Sequence, residues 1–513
     1  MADRAQPLSA AHWLGMSAAA LVAALIFGTL ALVFWQAGGL SLPRPGDWAA
    51  VRFTLLQAAL SAGLSVLLAV PVARALARRR FAGRAVLITL MGAPFILPVV
   101  VAVLGLLAVF GRAGVVNGVL HRAGLPGIEI YGLQGVILAN VFFNLPLAVR
   151  LILQGWLAIP AERFRLAASL GFGPWQIYRR LELPMLAEVV PGAGVTIFLI
   201  CLTSFGVALT LGGGPGASTV ELAIYQAFRF EFDLARVAGL ALMQVVLCGA
   251  AALLCVWFVR PAGMGGGLDR RVERWDGCRA VDGVVLMAAA AFLLVPLALV
   301  LADGLPQVPD LPGSIWLAAA RSLGVAGVAC TLSVSLGLAL AVAALRMAGL
   351  DLVGMMALAG SPVVMGAGLF LALRGWVDPA VLALPLTAVV NAVVALPLVL
   401  RCVLPELRGI EAEYGRLADQ LGMQGTVRLR LLILPRLRRP IGFAAGLAAA
   451  LSMGDLGVVA LFADPSHATL PMQVYALMGA YRMDQAAGAA VLLAGLTLGL
   501  FWLCDRWGHH AEI

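Results

Sequence analysis

The feature that most constrains this chain is a series of apolar runs, each long enough to cross a membrane as a helix. A membrane-spanning helix needs about 20 mainly apolar residues, because its backbone must satisfy its own hydrogen bonds in the hydrocarbon core. Only 12% of the residues are charged, against about 25% in a soluble domain. We therefore predict an all-α membrane protein with about 12 transmembrane helices. The predicted spans are residues 13–36, 53–77, 85–110, 133–157, 187–212, 237–259, 281–303, 315–345, 349–374, 380–404, 440–463 and 486–504.

The basic residues are all arginine, since the sequence contains no lysine. An ordinary phosphate-binding P-loop and Schiff-base catalysis both need a lysine, so both are excluded. The arginines cluster at the ends of alternate apolar runs, which is typical of cytoplasmic loops. We therefore attribute the net charge of +9 to membrane topology rather than to nucleic-acid binding, and predict that the N- and C-termini are both cytoplasmic.

The residues that usually carry catalysis or bind metals do not form a recognisable set. The seven cysteines include no CxxC pair, and only His509 and His510 are neighbours among the five histidines. Neither an HExxH nor a GxSxG motif occurs. We therefore expect the cysteines to be small packing residues and predict no metal site and no catalytic residues. The first apolar run lacks an A-x-A cleavage signal, which favours a retained span.

An internal repeat divides the chain into two halves. The stretch "RLAASLGFGPWQIYRRLELP" (165–184) is matched by "RLADQLGMQGTVRLRLLILP" (416–435). The same shift of 251 residues aligns Asn140 with Asn391, and 19 of the 47 positions from 140 to 186 are identical without a gap. Six spans per half is an even number, so both halves enter the membrane in the same direction. This predicts a parallel repeat with a transport pathway between the halves.

The domain organisation follows from this repeat and from a glycine-rich, charged stretch between the halves. The predicted regions are the first transmembrane helix with an outer loop (1–49), the first repeat (50–259), a cytoplasmic linker (260–280), the seventh transmembrane helix with an outer loop (281–314), the second repeat (315–504) and a cytoplasmic tail (505–513).

The repeated stretch has the pattern of a short amphipathic helix that ends at a glycine. Phe164, Ala167, Ala168 and Leu170 form an apolar stripe, and Gly171 can end the helix. Pro184 can begin the next span, because the first turn of a helix does not use its N–H groups. An amphipathic helix lying on lipid is one interpretation. Two equivalent segments with the same glycine and proline offsets instead favour a partner that has two matching sockets.

The pattern A-x-x-L-G, followed by proline thirteen residues after the glycine, resembles the EAA loop of type-1 ABC importer permeases. In that family the loop forms a coupling helix that docks on a separate ATPase subunit and transmits its ATP-driven closure. Arg165 and Arg416 replace the family's usual leading glutamate. The matching positions are Ala167, Leu170, Gly171, Leu183 and Pro184 in the first half, and Ala418, Leu421, Gly422, Leu434 and Pro435 in the second.

Two longer stretches, 201–244 and 451–482, resemble the thiamine-importer permeases of Gram-negative bacteria, a group within this family. The resemblance implies an inner-membrane permease that imports thiamine and its phosphates. It implies a periplasmic thiamine-binding protein and a dimeric cytoplasmic ATPase as partners, with ATP and Mg on the ATPase and no cofactor on this chain. An importer of ferric iron or polyamine is an alternative. An ion-driven secondary transporter is another, and would need titratable groups deep in its spans.

Polar residues inside apolar runs are candidates for the transport pathway, because burying them in lipid is costly. A cation with aromatic rings would suit an acid beside an aromatic face, which favours Asp455, and Glu221 with Tyr225. Alternatively, Glu221 contacts the binding protein, and Asp455 pairs with an arginine or caps a helix break. The full set of candidates is Asn140, Ser204, Glu221, Tyr225, Ser452 and Asp455.

Overall fold

The structure is a computed structural model, and within the residues it describes the chain is helical, with no strand. The described residues are 10–39, 41–91, 96–258, 279–345, 347, 349–358, 360–376, 379–423, 425–462 and 467–509. The predicted linker lies outside them except for its last two residues, and the last four residues of the predicted tail also lie outside.

The helices vary from four to 42 residues in length. Those of the first half are α1 Ala10–Ala23, α2 Thr29–Ala37, α3 Pro45–Arg78, α4 Arg84–Leu90, α5 Val99–Phe110, α6 Val115–Arg122, α7 Leu133–Ala158, α8 Ala161–Ser169, α9 Pro174–Ile177, α10 Leu183–Leu202, α11 Phe205–Leu211, α12 Val220–Gln226 and α13 Leu234–Phe258. Those of the second half are α14 Arg279–Gly304, α15 Gly313–Ala344, α16 Leu350–Met355, α17 Pro362–Leu373, α18 Pro379–Gln420, α19 Gly425–Arg428, α20 Leu434–Met453, α21 Gly457–Phe462, α22 Leu470–Gly479 and α23 Met483–His509.

Eleven helical segments among the described residues are long and apolar enough to cross a membrane, so the chain is a multi-pass membrane protein. The predicted ninth span is divided into α16 and α17, and α17 alone has only 12 residues. Ser361 caps the start of α17, because its side chain accepts a hydrogen bond from the Val364 N–H at 3.2 Å. Pro362 then occupies the first helical position, so a new helix begins there.

The predicted third span, 85–110, is also not one helix. It consists of α4 and α5, and α5 begins directly after Pro98. The candidate span at this place runs instead from Val99 to Arg122. The predicted fifth and eleventh spans are likewise interrupted near their ends, at residues 203–204 and 454–456. These two interruptions occupy equivalent positions in the repeat, and two candidate pathway residues, Ser204 and Asp455, lie in them.

The helices form two compact units, of which the first contains residues 43–223 and 246–309. In it α3 packs against α7, α10 and α14, and α14 also packs against α5. A buried acid, Asp282, fixes the start of α14 to the end of α3. Arg78 donates to its carboxylate through Nε at 2.9 Å and also through a terminal nitrogen, and Arg79 is a second ionic partner. The seventh span is thereby tied to the first half of the chain.

The second unit contains residues 1–42, 224–245 and 310–513. Its centre is α15, which packs against α18 and α20, and α20 packs along α23. The N-terminal helices belong here as well, since α1 packs against α15 and α2 packs against α17. At Gly15 there is no room for a side chain, because an added Cβ would lie 2.2 Å from the Ala343 Cβ.

We predict that Asp282→Asn lowers the stability of the chain, because it leaves two arginines without their common carboxylate. Breaking a buried ion pair on one side costs about 3–5 kcal/mol, so the apparent melting temperature of the detergent-purified chain should fall by about 5 °C or more. Asp303→Asn is the control, since Asp303 is exposed near the other end of α14. Equal melting temperatures for the two variants would contradict the role assigned to Asp282.

Candidate functional site

The repeated stretches fold into matching structures, which we call segment A (residues 161–184) and segment B (residues 412–435). Each contains a helix end, a short helix, a π-helical turn and the start of a long helix. The boundaries differ by 251 residues at every point. They are Ser169 and Gln420 for the helix ends, Pro174–Ile177 and Gly425–Arg428 for the short helices, Tyr178–Glu182 and Leu429–Ile433 for the π turns, and Leu183 and Leu434 for the long helices.

A glycine ends the first helix of each segment, as the sequence predicts. Gly171 and Gly422 have φ values of 66° and 67°, a left-handed conformation that favours glycine. The amide of Gly171 donates to Ala168 O at 3.0 Å, and the next amide donates to Ala167 O at 2.9 Å. The amides of residues 422 and 423 make the same two bonds in segment B. This pair of bonds is a Schellman motif, which turns the chain sharply after the helix.

The proline of each segment follows a π turn. Leu183 donates its N–H to the carbonyl five residues earlier, at Tyr178, and Leu434 does the same to Leu429. Pro184 and Pro435 directly follow these leucines, inside helical runs that extend without a gap over residues 174–202 and 425–453. Single π turns inside helices are frequent at functional sites.

The apolar residues of each segment are divided between two faces. Phe164 and Ala167 are buried, and so is Ala418, the residue that matches Ala167. The matched leucines Leu170 and Leu421 are instead 62% and 67% exposed. The apolar stripe expected in segment A is therefore half core and half surface, because Ala168 is exposed as well. Each segment presents a leucine outward at the turn made by its glycine.

The two arginines that replace the family's glutamate, Arg165 and Arg416, are exposed in both segments. Arg165 lies 3.6 Å from Glu162 one helical turn earlier, and both side chains are more than 70% exposed. An ion pair of this kind contributes little to stability. Both arginines are therefore surface groups at the front of their segments.

Two of the candidate pathway residues meet in the first unit. Asn140 of α7 donates to the Gln57 side chain at 2.8 Å and accepts from the Ser204 hydroxyl at 3.0 Å. Gln57 in turn donates to the Cys201 carbonyl at 2.7 Å. Ser204 lies in the interruption between α10 and α11, where the helical hydrogen bonds stop. The network therefore holds this interruption against α3 and α7.

The equivalent interruption in the second unit is held by the equivalent asparagine. Asn391 donates to the Ser452 hydroxyl at 3.1 Å. Asp455, which takes the place of Ser204 in the repeat, accepts from the Gly457 N–H at 3.1 Å. The carboxylate therefore caps α21, as one of the interpretations from sequence proposed. Asn391 and Gln57 were not among the candidate residues. Asn391 could have been included, because the shift of 251 residues matches it to Asn140.

Glu221 and Tyr225 lie on the short helix α12, and both side chains are buried. The Tyr225 ring packs edge-on against Phe230, with centroids 5.8 Å apart. Burial raises the pKa of the Tyr225 hydroxyl, and the nearby Tyr475 raises it further, so the hydroxyl stays neutral. Among the described residues no group of three His, Cys, Asp or Glu side chains could hold a metal ion.

These features agree with comparisons to known proteins. Residues 61–261 match the family described as binding-protein-dependent transport system inner membrane component. The chain is 40% identical to the thiamine transport system permease protein of Salmonella typhimurium, with all of both chains covered. It is 38% identical to the protein of the same name from Brucella abortus, over 96% of this chain and 94% of that one. The chain belongs to this family of binding-protein-dependent transport permeases.

A third relative has about half the length of this chain. The molybdenum transport system permease protein of Mycobacterium bovis is 30% identical over 255 residues, which is 48% of this chain and 94% of that protein. A permease about as long as one half of this chain therefore exists in its own right. This agrees with a chain made of two repeated permease units.

We predict that Gly171→Ala loosens the end of α8, because a left-handed conformation costs an L-residue about 1–2 kcal/mol. The Phe172 amide should then exchange with deuterium about ten times faster. Gly173→Ala is the matched control, since Gly173 has a φ of −73° and open space around it. Equal exchange rates in the two variants would show that the Schellman motif does not depend on glycine.

Proposed function

We propose that the chain is the permease of an ATP-driven importer that carries thiamine and its phosphates from a periplasmic binding protein into the cytoplasm. The observation that carries this proposal is the identity of 38–40% over nearly the whole chain to permeases named for thiamine transport. The chain would lie in the bacterial inner membrane with both termini in the cytoplasm. The arginine clusters support this orientation, because cytoplasmic loops carry the excess of basic residues.

Segments A and B are proposed to dock on the two subunits of a separate ATPase. Their exposed leucines support this, since Leu170 and Leu421 occupy the same place after the same Schellman motif. A leucine held outward on a tight turn is suited to a pocket on a partner. The chain lacks the lysine of a P-loop, so ATP and Mg would bind to the ATPase. This chain would hold no cofactor.

The proposed cycle is alternating access. ATP closes the ATPase dimer, segments A and B are drawn together, and the two halves open outward to a docked binding protein. Hydrolysis reverses the change. A partner can shift such an equilibrium only if its contacts differ between the two states. Leu170 and Leu421 would each contact one ATPase subunit, so their contacts would change when the two subunits move together or apart.

The interruptions at residues 203–204 and 454–456 are proposed to border the pathway, as binding sites near broken helices do in other transporters. Asp455 brings a carboxylate to one of them, and Glu221 with Tyr225 brings an acid and an aromatic ring to α12. Thiamine is a cation with aromatic rings, so these groups match its chemistry. Asn140, Ser204 and Ser452 would keep the interruptions in shape.

Buried acids elsewhere do not favour an ion-driven transporter. Glu182 and Asp282 are buried, but each is paired with an arginine and each lies within a few residues of the start of a long helix. A proton relay needs titratable groups that can exchange protons with the pathway. These two carboxylates serve instead to join helices.

We expect a strain that lacks its own thiamine permease to regain uptake of labelled thiamine when this chain is expressed with its ATPase and binding protein. Labelled ferric iron and polyamine, the substrates of the alternative importers, should show no increase over the empty strain. Thiamine uptake at the background level, with the chain present in the membrane, would refute thiamine as the substrate.

We further predict that Leu170→Glu combined with Leu421→Glu abolishes binding of the ATPase, because each carboxylate would enter an apolar pocket. Loss of two such anchors costs about 2 kcal/mol or more each, so co-purification of the ATPase should fall at least tenfold. Leu125→Glu is the control, since Leu125 is also exposed, at 53%, but lies outside both segments. Undiminished co-purification with the double variant would refute the docking assignment.

A further inference from the structure

The two segments are matched in sequence and backbone but joined differently to the spans that precede them. In the second unit, α18 runs without interruption from Pro379 to Gln420 and includes the first helix of segment B. In the first unit, α7 ends at Ala158, and a separate helix, α8, begins after Pro160. The first helix of segment B therefore continues its span as one uninterrupted helix, and that of segment A does not.

A buried ion pair supplies the missing connection in the first unit. Glu182, the last residue of the π turn, is fully buried. Its carboxylate lies 2.9 Å from Nε of Arg74, which belongs to α3. The indole N–H of Trp156 on α7 donates to the other carboxylate oxygen at 3.4 Å. Glu182 thus joins segment A to two long helices at once.

The connection extends to the surface of segment A through two aromatic rings. The guanidinium carbon of Arg74 lies 5.8 Å from the centre of the Tyr178 ring. Tyr178 stacks on Trp175, with centroids 5.6 Å apart, and Trp175 is 69% exposed. A continuous chain of contacts therefore runs from an exposed residue of segment A to the interior helices.

The second unit has apolar residues at the positions equivalent to Arg74, Trp156, Tyr178 and Glu182. The shift of 251 residues replaces Trp156, Tyr178 and Glu182 by Leu407, Leu429 and Ile433. Aligning Thr54 with Ser322, which accept equivalent backbone hydrogen bonds, replaces Arg74 by Val342. Leu407 and Ile433 are buried. In the second unit, where segment B is continuous with α18, apolar side chains therefore occupy the positions that hold the ion pair in the first unit.

We propose that the Arg74–Glu182 ion pair is the connection that makes α3 and α7 move with segment A, while segment B moves its span directly through α18. A buried ion pair holds two elements at a fixed distance, because parting the charges leaves a buried charge without its partner, whereas apolar surfaces can slide past each other. Arg74 and Glu182 are positioning residues, because they act through the segments and do not touch the substrate. This inference rests on the proposed docking of segments A and B on an ATPase.

The decisive variant is Arg74→Val combined with Glu182→Ile, which copies the residues of the second unit. Replacing a buried ion pair by apolar residues is often neutral or stabilising, so the chain should still insert and bind its ATPase. The measurement is the thiamine transported per ATP hydrolysed by the complete importer in proteoliposomes. We expect this ratio to fall about tenfold, while ATP hydrolysis continues at a rate within about twofold of the unmodified importer.

Two further variants test whether the effect is specific to the Arg74–Glu182 ion pair. Arg112→Gln with Glu129→Gln removes an exposed ion pair from the same unit, and the ratio should not change. Glu182→Gln keeps the volume of the side chain and should also lower the ratio. If the double variant does not insert into the membrane, the ratio measured for Glu182→Gln tests the inference instead. The inference would be overturned if the decisive variant kept a ratio within about twofold of that of the unmodified importer. If the decisive variant does not insert, the same result for Glu182→Gln would overturn it. Failure of the unmodified chain to bind any ATPase would instead refute the proposed function.

Discussion

The structure depends on one constraint, which is that a backbone group in the hydrocarbon core of a membrane must have a hydrogen-bond partner. Helices meet it without help, and at several of the described helix ends a side chain bonds to a backbone group. Gln57 donates to the Cys201 carbonyl beside one interruption of the repeat, and Asp455 accepts from the Gly457 N–H beside the other. Thr54 and Ser322 accept the backbone N–H groups of residues 220 and 470. These polar side chains satisfy backbone groups, and a role in transport would be added to that task.

The same constraint explains what the sequence could predict. Segments A and B were recognisable because their signals are local: a glycine that must adopt positive φ, a proline thirteen residues later and an unbroken shift of 251 residues. The divided spans at Pro98 and Ser361 were missed because apolar composition alone does not show a helix break. The contact between Gln57 and Asn140 joins residues 83 positions apart. It depends on how α3 and α7 pack, and no local pattern contains that information.

Two ways of attaching a segment to a membrane helix occur in one chain. The first helix of segment B is the end of a 42-residue helix, and segment A is held by a carboxylate that pairs with Arg74 of α3 and accepts a hydrogen bond from Trp156 of α7. Sequence identity between the segments conceals this difference, because the residues that cause it, Pro160 and Glu182, lie between the shared positions. Repeats that share a backbone can therefore differ in how they are joined to the membrane helices.

The N-terminal helices carry a consequence for synthesis of the protein. Helices α1 and α2 are made first, yet they pack on α15 and α17, which emerge from the ribosome about 300 residues later. Contacts between such distant parts of a chain form slowly, because a long loop must close before they are gained. The first unit can assemble once α14 has been made, since all its residues precede position 310. The second unit begins with α1, which remains in the bilayer without its partner until α15 has been made, and α2 likewise waits for α17.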